Sequence, residues 1–178
     1  MWFINRMKYL VNGLLALTVL CLTPIQAENL TPKQLVGWKQ ELIEIEKTLP
    51  LTQSMSERIF INAYIADTAA KRIQGLMHVQ DLPKNAGMLF VFRPPRVVSI
   101  WMKNTYISLD LLFIDKDQAI IKIHNDAKPL NLESISSKLK VKWVLEINGG
   151  LTEELKINSG DKIILRDATQ QRFRILKT

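Results

Sequence analysis

The feature that most restricts the fold of this chain is a series of short apolar runs that begins after Glu57. Each run has the length of one strand, and turn residues separate it from the next. In the first run, Ile59, Ile61, Ala63 and Ile65 alternate with other residues, which predicts a strand with one buried face. The remaining predicted strands cover residues 87–92, 97–102, 109–115, 119–124, 142–147, 159–165 and 173–176. This pattern predicts a mainly β fold: a single compact β-sandwich or a partly open barrel with two short helices.

Short helices and one tight turn are predicted between these runs. Asp67 or Thr68 can cap a short helix. That helix reaches Gly75 or Met77, where the chain turns. A second short helix follows the glycine pair Gly149–Gly150, and the segment FIDKDQAI has the pattern of a β-hairpin.

The first 27 residues are predicted to be a signal peptide. Arg6 and Lys8 precede an apolar stretch that is short for a membrane span, and Ala27 is a small residue at a suitable cleavage position. An uncleaved membrane anchor is the alternative. Cleavage predicts a periplasmic or secreted protein with no membrane span. Cys21 is the single cysteine and lies in this segment, which excludes thiolate and disulfide chemistry from the processed chain.

Residues 28–56 are predicted to form an amphipathic helix and a linker, ahead of a β domain at residues 57–178. Thr31 and Pro32 make a good helix start. Apolar residues then recur at spacings of three and four, which gives one apolar stripe on a helix that ends before Pro50. The stripe consists of Leu35, Trp38, Leu42, Ile45 and Leu49. It can pack on the β domain, or it can dock the protein to an envelope protein.

The charge balance argues against nucleic acid as a partner. Residues 1–27 hold two of the 24 basic residues and no acidic one, so the remainder keeps 22 basic against 17 acidic residues. These charges are interspersed along the chain, apart from a small basic turn at Arg93 and Arg96. We expect an exported protein without a nucleic-acid interface.

The segment WMKNTYISLD is the most polar cluster within the apolar runs. If residues 97–105 continue as a strand, Trp101, Lys103 and Thr105 share one face, and Asp110 is a plausible counter-charge for the lysine. Asn104 and Thr105 are also suited to fixing a turn. The cluster either ties a strand-turn-strand unit together, or it faces a pocket for a polar or anionic small ligand, with Arg72 or His124 nearby.

Glu146 is a second candidate because it is a carboxylate within the apolar run VLEI. By strand alternation it points away from Leu145 and Ile147, and Lys103 or Arg72 could neutralise it. The ligand-binding candidates are Arg72, Trp101, Lys103, Asn104, Thr105, Asp110 and Glu146. Catalytic residues are not identifiable from the sequence.

Motifs for catalysis, metals and cofactors are missing from the sequence. It contains no nucleophile elbow, phosphate-binding glycine loop or histidine-pair metal motif. His78 follows the predicted helix and His124 ends a predicted strand, so neither is placed to form a helical ligand pair, and no metal site and no cofactor are predicted. These absences favour a non-catalytic protein and leave enzymatic activity open.

Several motifs occur in one order and carry a family resemblance. They are RxxGLM from Arg72, LP at residues 82–83, GMLFVF, WMKNT, LD with FID, VLEINGG and GDKI. In these motifs the β domain resembles the exported proteins of domain of unknown function 192. The resemblance implies a compact, mostly β fold and no established activity. Two positions depart from the family pattern: Val79 replaces an arginine, which puts any anion-binding role of that arginine in doubt here, and Gln118 replaces a turn glycine.

Together these observations predict an exported protein that acts as a non-catalytic binding or interaction module, with its polar site on the WMKNT strand. The alternative is an envelope hydrolase that uses Glu146 or Asp110 as its base. That enzyme requires a concave pocket in which one carboxylate lies beside Lys103 or Arg72. Placement of the two carboxylates on opposite faces of the sheet counts against it.

Overall fold

The computed structural model of this protein describes residues 31–48 and 58–165. The strands are β1 (Gln40–Glu46), β2 (Arg58–Ala66), β3 (Ala86–Arg96), β4 (Ser99–Ile100), β5 (Leu109–Ile114), β6 (Ile120–Ala127), β7 (Ile135–Ser136), β8 (Val141–Asn148) and β9 (Lys162–Leu165). The helices are α1 (Ala69–Gln74) and α2 (Leu151–Glu154), with one 3-10 turn at Lys33–Leu35. Both helices of the described residues are too short to cross a membrane. The predicted signal peptide and the predicted strand at 173–176 lie outside the described residues.

Seven strands form one curled sheet in the order β6-β5-β8-β3-β2-β1-β9. Only β2 and β3 pair in parallel; the other neighbours are antiparallel. The two edge strands meet at one end, where Ala119 bridges to Lys162 and the Gly160 N–H donates to the Ile120 carbonyl at 2.8 Å. The mainly β prediction is confirmed, and the architecture is a curled half-barrel.

The sheet buries a separate apolar cluster on each face. The inner cluster receives side chains from all seven strands, among them Ile45, Leu89 and Leu145. The outer cluster covers the central strands through residues such as Met88, Leu111 and Phe113. Residues 33–38, 69–82 and 97–108 pack over this outer face, and we call them the cover layer.

Most of the predicted elements of the β domain are confirmed. The alternating residues of β2 all lie in the inner cluster, as the pattern predicts. Thr68 caps α1 by accepting a hydrogen bond from the Lys71 N–H, and Gly75 ends the helix at a φ of 50°. The FIDKDQAI hairpin joins β5 to β6. Its turn is held by the Asp115 carboxylate, which accepts hydrogen bonds from two backbone N–H groups.

The predicted helix between Thr31 and Leu49 is wrong wherever the structure describes this segment. Only Lys33–Leu35 form a 3-10 turn, and Gln40–Glu46 form the strand β1, which lies between β2 and β9. The supposed stripe divides between the two faces of the sheet: Leu35 belongs to the outer cluster and Ile45 to the inner one. The period-two alternation of ELIEIE, completed by two neighbouring strands, prevails over the helical spacing.

The predicted strand at 97–102 is also largely wrong. Only Ser99–Ile100 pair with a neighbour, β7, in a separate two-stranded sheet. The chain then turns at Lys103 and Asn104, where the Thr105 N–H donates to the Met102 carbonyl at 3.1 Å. Asn104 has a φ of 54°, which asparagine tolerates better than most residues. The polar WMKNT segment is therefore a loop of the cover layer and not part of the main sheet.

Candidate functional site

A small cavity lies between the outer face of the sheet and the cover layer, and we call it the Glu146 cavity. It has a volume of about 70 Å³. Three structural units line it: the end of α1 with residues 72–77, the loop around residues 99–105, and two residues of the sheet, Phe90 and Glu146. Five of the seven predicted ligand-binding residues line this cavity: Arg72, Trp101, Lys103, Thr105 and Glu146.

Glu146 is the buried polar residue at the base of the cavity. Its neighbours across the strands are Met88 on β3 and Leu111 on β5, and both are fully buried. Only 4% of Glu146 is exposed, and no described side chain forms a hydrogen bond or ion pair with it. Burial raises the pKa of Glu146 to about 8, because removal from water disfavours the charged form. The group is therefore mostly a neutral carboxylic acid at neutral pH.

Arg72 contributes a fixed positive charge on the α1 side. Its Nη1 donates to the Asp67 carbonyl at 2.8 Å and to the Val91 carbonyl at 3.0 Å. The guanidinium also lies 5.6 Å from the centre of the Phe92 ring. These contacts fix the side chain through one nitrogen, and Nε and Nη2 have no acceptor among the described residues.

The WMKNT loop supplies another part of the cavity lining. Met102 is buried in the outer cluster and anchors the loop, while Trp101 and Lys103 lie on its exposed side. The Lys103 Nζ is 5.4 Å from the centre of the Trp101 ring, and no described carboxylate forms an ion pair with it. Thr105 is buried beneath the loop, with its carbonyl accepting from the Leu130 N–H. The cavity is thus flanked by two cations.

Asp110 does not belong to this site, and its predicted pairing with Lys103 is wrong. Its neighbour across the strands is Ile147 in the inner cluster, so it lies on the face of the sheet opposite to Glu146. Its carboxylate accepts from the backbone N–H groups of Asp126, Gly150 and Thr152 and from the Thr152 hydroxyl, at 2.6 to 3.1 Å. Asp110 therefore fixes the start of α2 and the β5–β6 pair.

Two further candidates also lie away from the cavity. Asn104 is a turn residue whose carbonyl accepts from the His78 N–H at 2.8 Å. His124 lines a separate open groove with Lys122 and Lys128. Val79, at the position where the family pattern has an arginine, is fully buried in the outer cluster and does not line the cavity.

Some residues of the cavity were missed in the sequence because their signals are weak. Ile73 is an exposed apolar residue on α1, and Ser99 belongs to a two-residue strand. An apolar residue on the solvent side of a short helix is the one signal that could have drawn attention to Ile73. The described residues contain no group of three His, Cys, Asp or Glu side chains that could hold a metal ion.

The groups that line the cavity include one hydrogen-bond donor and two cations. A neutral carboxylic acid can donate one hydrogen bond, and Arg72 and Lys103 add positive charge. Such a group is a poor general base near neutral pH, because its proton is already in place. Asp110 and Glu146 also lie on opposite faces, which is the arrangement that counts against the predicted hydrolase.

Comparison with known proteins identifies relatives but no activity. The model for the DUF192 family, described as "Uncharacterized ACR", matches residues 51–165. A protein from Sinorhizobium meliloti 1021, described as a "putative transcription regulator", is 33% identical over 72% of this chain and 95% of its own, with a TM-score of 0.66. A protein of unknown function from Novosphingobium aromaticivorans DSM 12444 is 31% identical over 72% of this chain and 87% of its own, with a TM-score of 0.65. No curated protein matches this chain.

The matched region includes the whole Glu146 cavity and every strand from β2 to β9. It covers more than half of the chain, and the two similar structures are each more than 30% identical to this chain over 72% of its length. This chain belongs to the DUF192 family.

Proposed function

We propose that this protein is an exported, non-catalytic binding module that holds a small anionic group in the Glu146 cavity. The observation that carries the proposal is a nearly fully buried carboxylic acid with no partner among the described residues, facing a cavity with a cation on either side. Buried polar groups normally have hydrogen-bond partners, so one without a partner beside a cavity favours a ligand. The elevated pKa of Glu146 agrees with this role.

The charges favour an anion over a cation. At neutral pH, Glu146 is mostly uncharged, so Arg72 and Lys103 determine the local potential. An oxyanion can accept hydrogen bonds from the free nitrogens of Arg72, from the Lys103 ammonium and from the Glu146 carboxylic acid. A cationic ligand would instead have to ionise Glu146 and approach two positive charges.

The size of the cavity limits what can enter it. A volume of about 70 Å³ compares with the roughly 10–15 Å³ that a cavity needs to hold one water molecule. One carboxylate or phosphate-sized group therefore fits, and any larger part of the ligand must remain outside the cavity, over its rim. The site thus recognises a terminal anionic group.

A titration with simple anions tests this function. The protein is expressed with its own N-terminal segment, isolated as the cell processes it, and titrated with acetate, inorganic phosphate and neutral acetamide while its NMR spectrum is recorded. We expect acetate or phosphate, and not acetamide, to shift the Trp101 indole signal. Lys103→Ala should weaken that binding about tenfold, the usual order for one charge-assisted hydrogen bond.

Two control variants separate binding from stability. Lys128→Ala removes an exposed lysine of the other groove and should leave anion binding unchanged. Asp110→Ala removes four hydrogen bonds, two of them fully buried, and should lower the free energy of unfolding by roughly 2–4 kcal/mol without weakening anion binding. Equal binding of acetate and acetamide, or no binding of any anion, would contradict the proposed function.

Export and the absence of nucleic-acid binding belong to the same proposal. The motivating features are the basic N-terminal segment with its apolar stretch and the interspersed charges of the remaining chain. Mass spectrometry of the isolated protein tests the leader directly, since cleavage after Ala27 removes 27 residues. A protein that keeps Met1 through Ala27 and partitions with the membrane would support the uncleaved anchor instead.

A further inference from the structure

We infer that the anionic group is the carboxylate at the C-terminus of a peptide, and that the peptide lies along the free edge of β4. This inference rests on the proposed anion-binding function and adds the class of ligand. It combines three features that meet at the cavity. They are the polar groups of Arg72, Lys103 and Glu146, a strand edge that no described strand covers, and an exposed apolar rim.

Among the described residues, no strand pairs with β4 on the side that faces away from β7, and we call this side the free edge. Val98 bonds toward β7, since its N–H donates to the Ser137 hydroxyl at 3.0 Å and its carbonyl accepts from the Ser137 N–H at 2.9 Å. Because ladder bonds alternate along an antiparallel strand, the N–H and carbonyl of Ser99 point the other way. No described group bonds to the backbone of Trp101.

This free edge and the end of α1 both line the cavity. Ser99, Ile100 and Trp101 belong to the edge and the residue after it, and residues 72–77 comprise the end of α1 and the turn that follows it. An extended peptide that adds to a strand edge gains backbone hydrogen bonds. Its terminal carboxylate can then bind charged donors that lie at the end of the added strand. The Glu146 cavity offers such donors between the edge and the helix.

The rim of the cavity fits the apolar side chain of a peptide. Ile73 is 71% exposed and Trp101 is 52% exposed, and both line the cavity. Because only a terminal group fits inside, the residues next to the carboxylate must pass over these two side chains. A free small carboxylate uses the cavity alone, whereas a peptide uses the cavity, the rim and the edge together.

A randomised peptide library distinguishes a peptide ligand from a free small carboxylate. The probe is a set of N-acetylated pentapeptides with the last three residues randomised, prepared both as free acids and as C-terminal amides. We expect the processed protein to enrich free acids with apolar C-terminal residues and to bind the best of them at least about tenfold more tightly than its amide and than acetate. Enrichment of amides and acids alike would overturn the inference.

Failure of the inference and failure of the proposed function give different results. If acetate binds and no peptide acid binds more tightly, the cavity is an anion site for small molecules and the peptide assignment is wrong. If acetate, phosphate and every peptide acid all fail to bind, both proposals fail. Acetate, phosphate and the selected peptides are each titrated in the same way, with the Trp101 indole signal as the reporter.

Variants of the rim and the edge test the two additional contacts. Ile73→Ser should weaken the selected peptide about tenfold and leave acetate unchanged, while Leu132→Ser, an equally exposed site outside the cavity, should change neither. A selected peptide that is N-methylated at its penultimate residue should also bind about tenfold more weakly, because it loses a donor to the β4 edge. Unchanged affinity in both tests would exclude the strand-edge geometry.

Discussion

At the scale of single residues, Glu146 combines a position suited to an apolar side chain with an ionisable group. It lies between Met88 and Leu111 on adjacent strands, and Val144 precedes it on the same face. A valine or leucine would fill this position without a desolvation cost, whereas a glutamate must remain protonated or find a partner. The cover layer leaves a cavity above Glu146, so the carboxyl group is accessible to a small ligand.

The raised pKa of Glu146 predicts that stability falls as pH rises. Between the ordinary pKa of 4.5 and the folded value of about 8, the folded state holds one proton more than the unfolded state. Each pH unit in this window then lowers the free energy of unfolding by roughly 1.4 kcal/mol, for a total near 5 kcal/mol. Denaturant titrations at pH 5 and pH 9 should show this loss in the native protein and not in Glu146→Gln.

The Glu146→Gln variant is informative because an amide keeps a donor at the base of the cavity. The other charged groups at the cavity, Arg72 from α1 and Lys103 from the loop, remain in place. Anion affinity should therefore decline above about pH 8 in the native protein and stay constant in the variant. An equal stability change with pH in both proteins would mean that Glu146 ionises normally.

At the scale of elements, β1 shows how a helical spacing can occur in a strand. The residues of ELIEIE alternate, but Leu35, Trp38, Leu42, Ile45 and Leu49 also recur at helical intervals, so the segment satisfies both patterns. The structure decides between them because β2 and β9 both offer an edge to this segment. In the strand, Ile43 is fully buried in the inner cluster, while Leu42 is only half-buried.

Paired substitutions in β1 distinguish strand from helix. The helical stripe places Leu42 inside and Ile43 outside, and the strand reverses this order of burial. We expect Ile43→Asn to lower the free energy of unfolding by roughly 3 kcal/mol or more, because it buries an amide without partners. Leu42→Asn should cost about 1 kcal/mol. Thermal and denaturant unfolding measure both, and a larger effect at Leu42 would contradict the strand.

At the scale of the whole molecule, the curled sheet brings its edges together at Ala119 and Lys162, and the free edge of β4 remains beside the cavity. Barrel closure protects edges that would otherwise pair with other chains. A strand edge that no described strand covers, next to the Glu146 cavity, is therefore a feature to explain by function. The N-terminal segment contributes to this architecture, because β1 connects β9 to the rest of the sheet.

Deletion of Glu28 to Leu49 tests the role of the N-terminal segment. A docking helix could be removed without harm, whereas loss of β1 leaves β9 without the strand it pairs with and exposes part of the inner cluster. We expect the shortened protein to lose its cooperative thermal transition, as measured by circular dichroism. A chain that begins at Glu28 should keep that transition. A folded deletion variant would mean that β1 is dispensable.

The β domain was largely predictable because its signals are local. The alternation of Ile59, Ile61, Ala63 and Ile65, and the cap at Thr68, each depend on neighbours in sequence, and the structure confirms them. The site was only partly predictable. Its residue types could be recognised from their unusual polarity, but their grouping depends on contacts between residues far apart in the chain.

The sequence by itself determined the mainly β class, the hairpin, the two short helices and the polar character of the WMKNT segment, because side-chain periodicity and turn chemistry act over a few residues. Only the tertiary structure decided that 40–46 is a strand, that Asp110 faces the start of α2, and that Arg72, Lys103 and Glu146 share one cavity. The physical reason is that strand pairing and the curl of the sheet fix which face each side chain occupies. Which polar groups meet on a face is set by the register between strands distant in sequence.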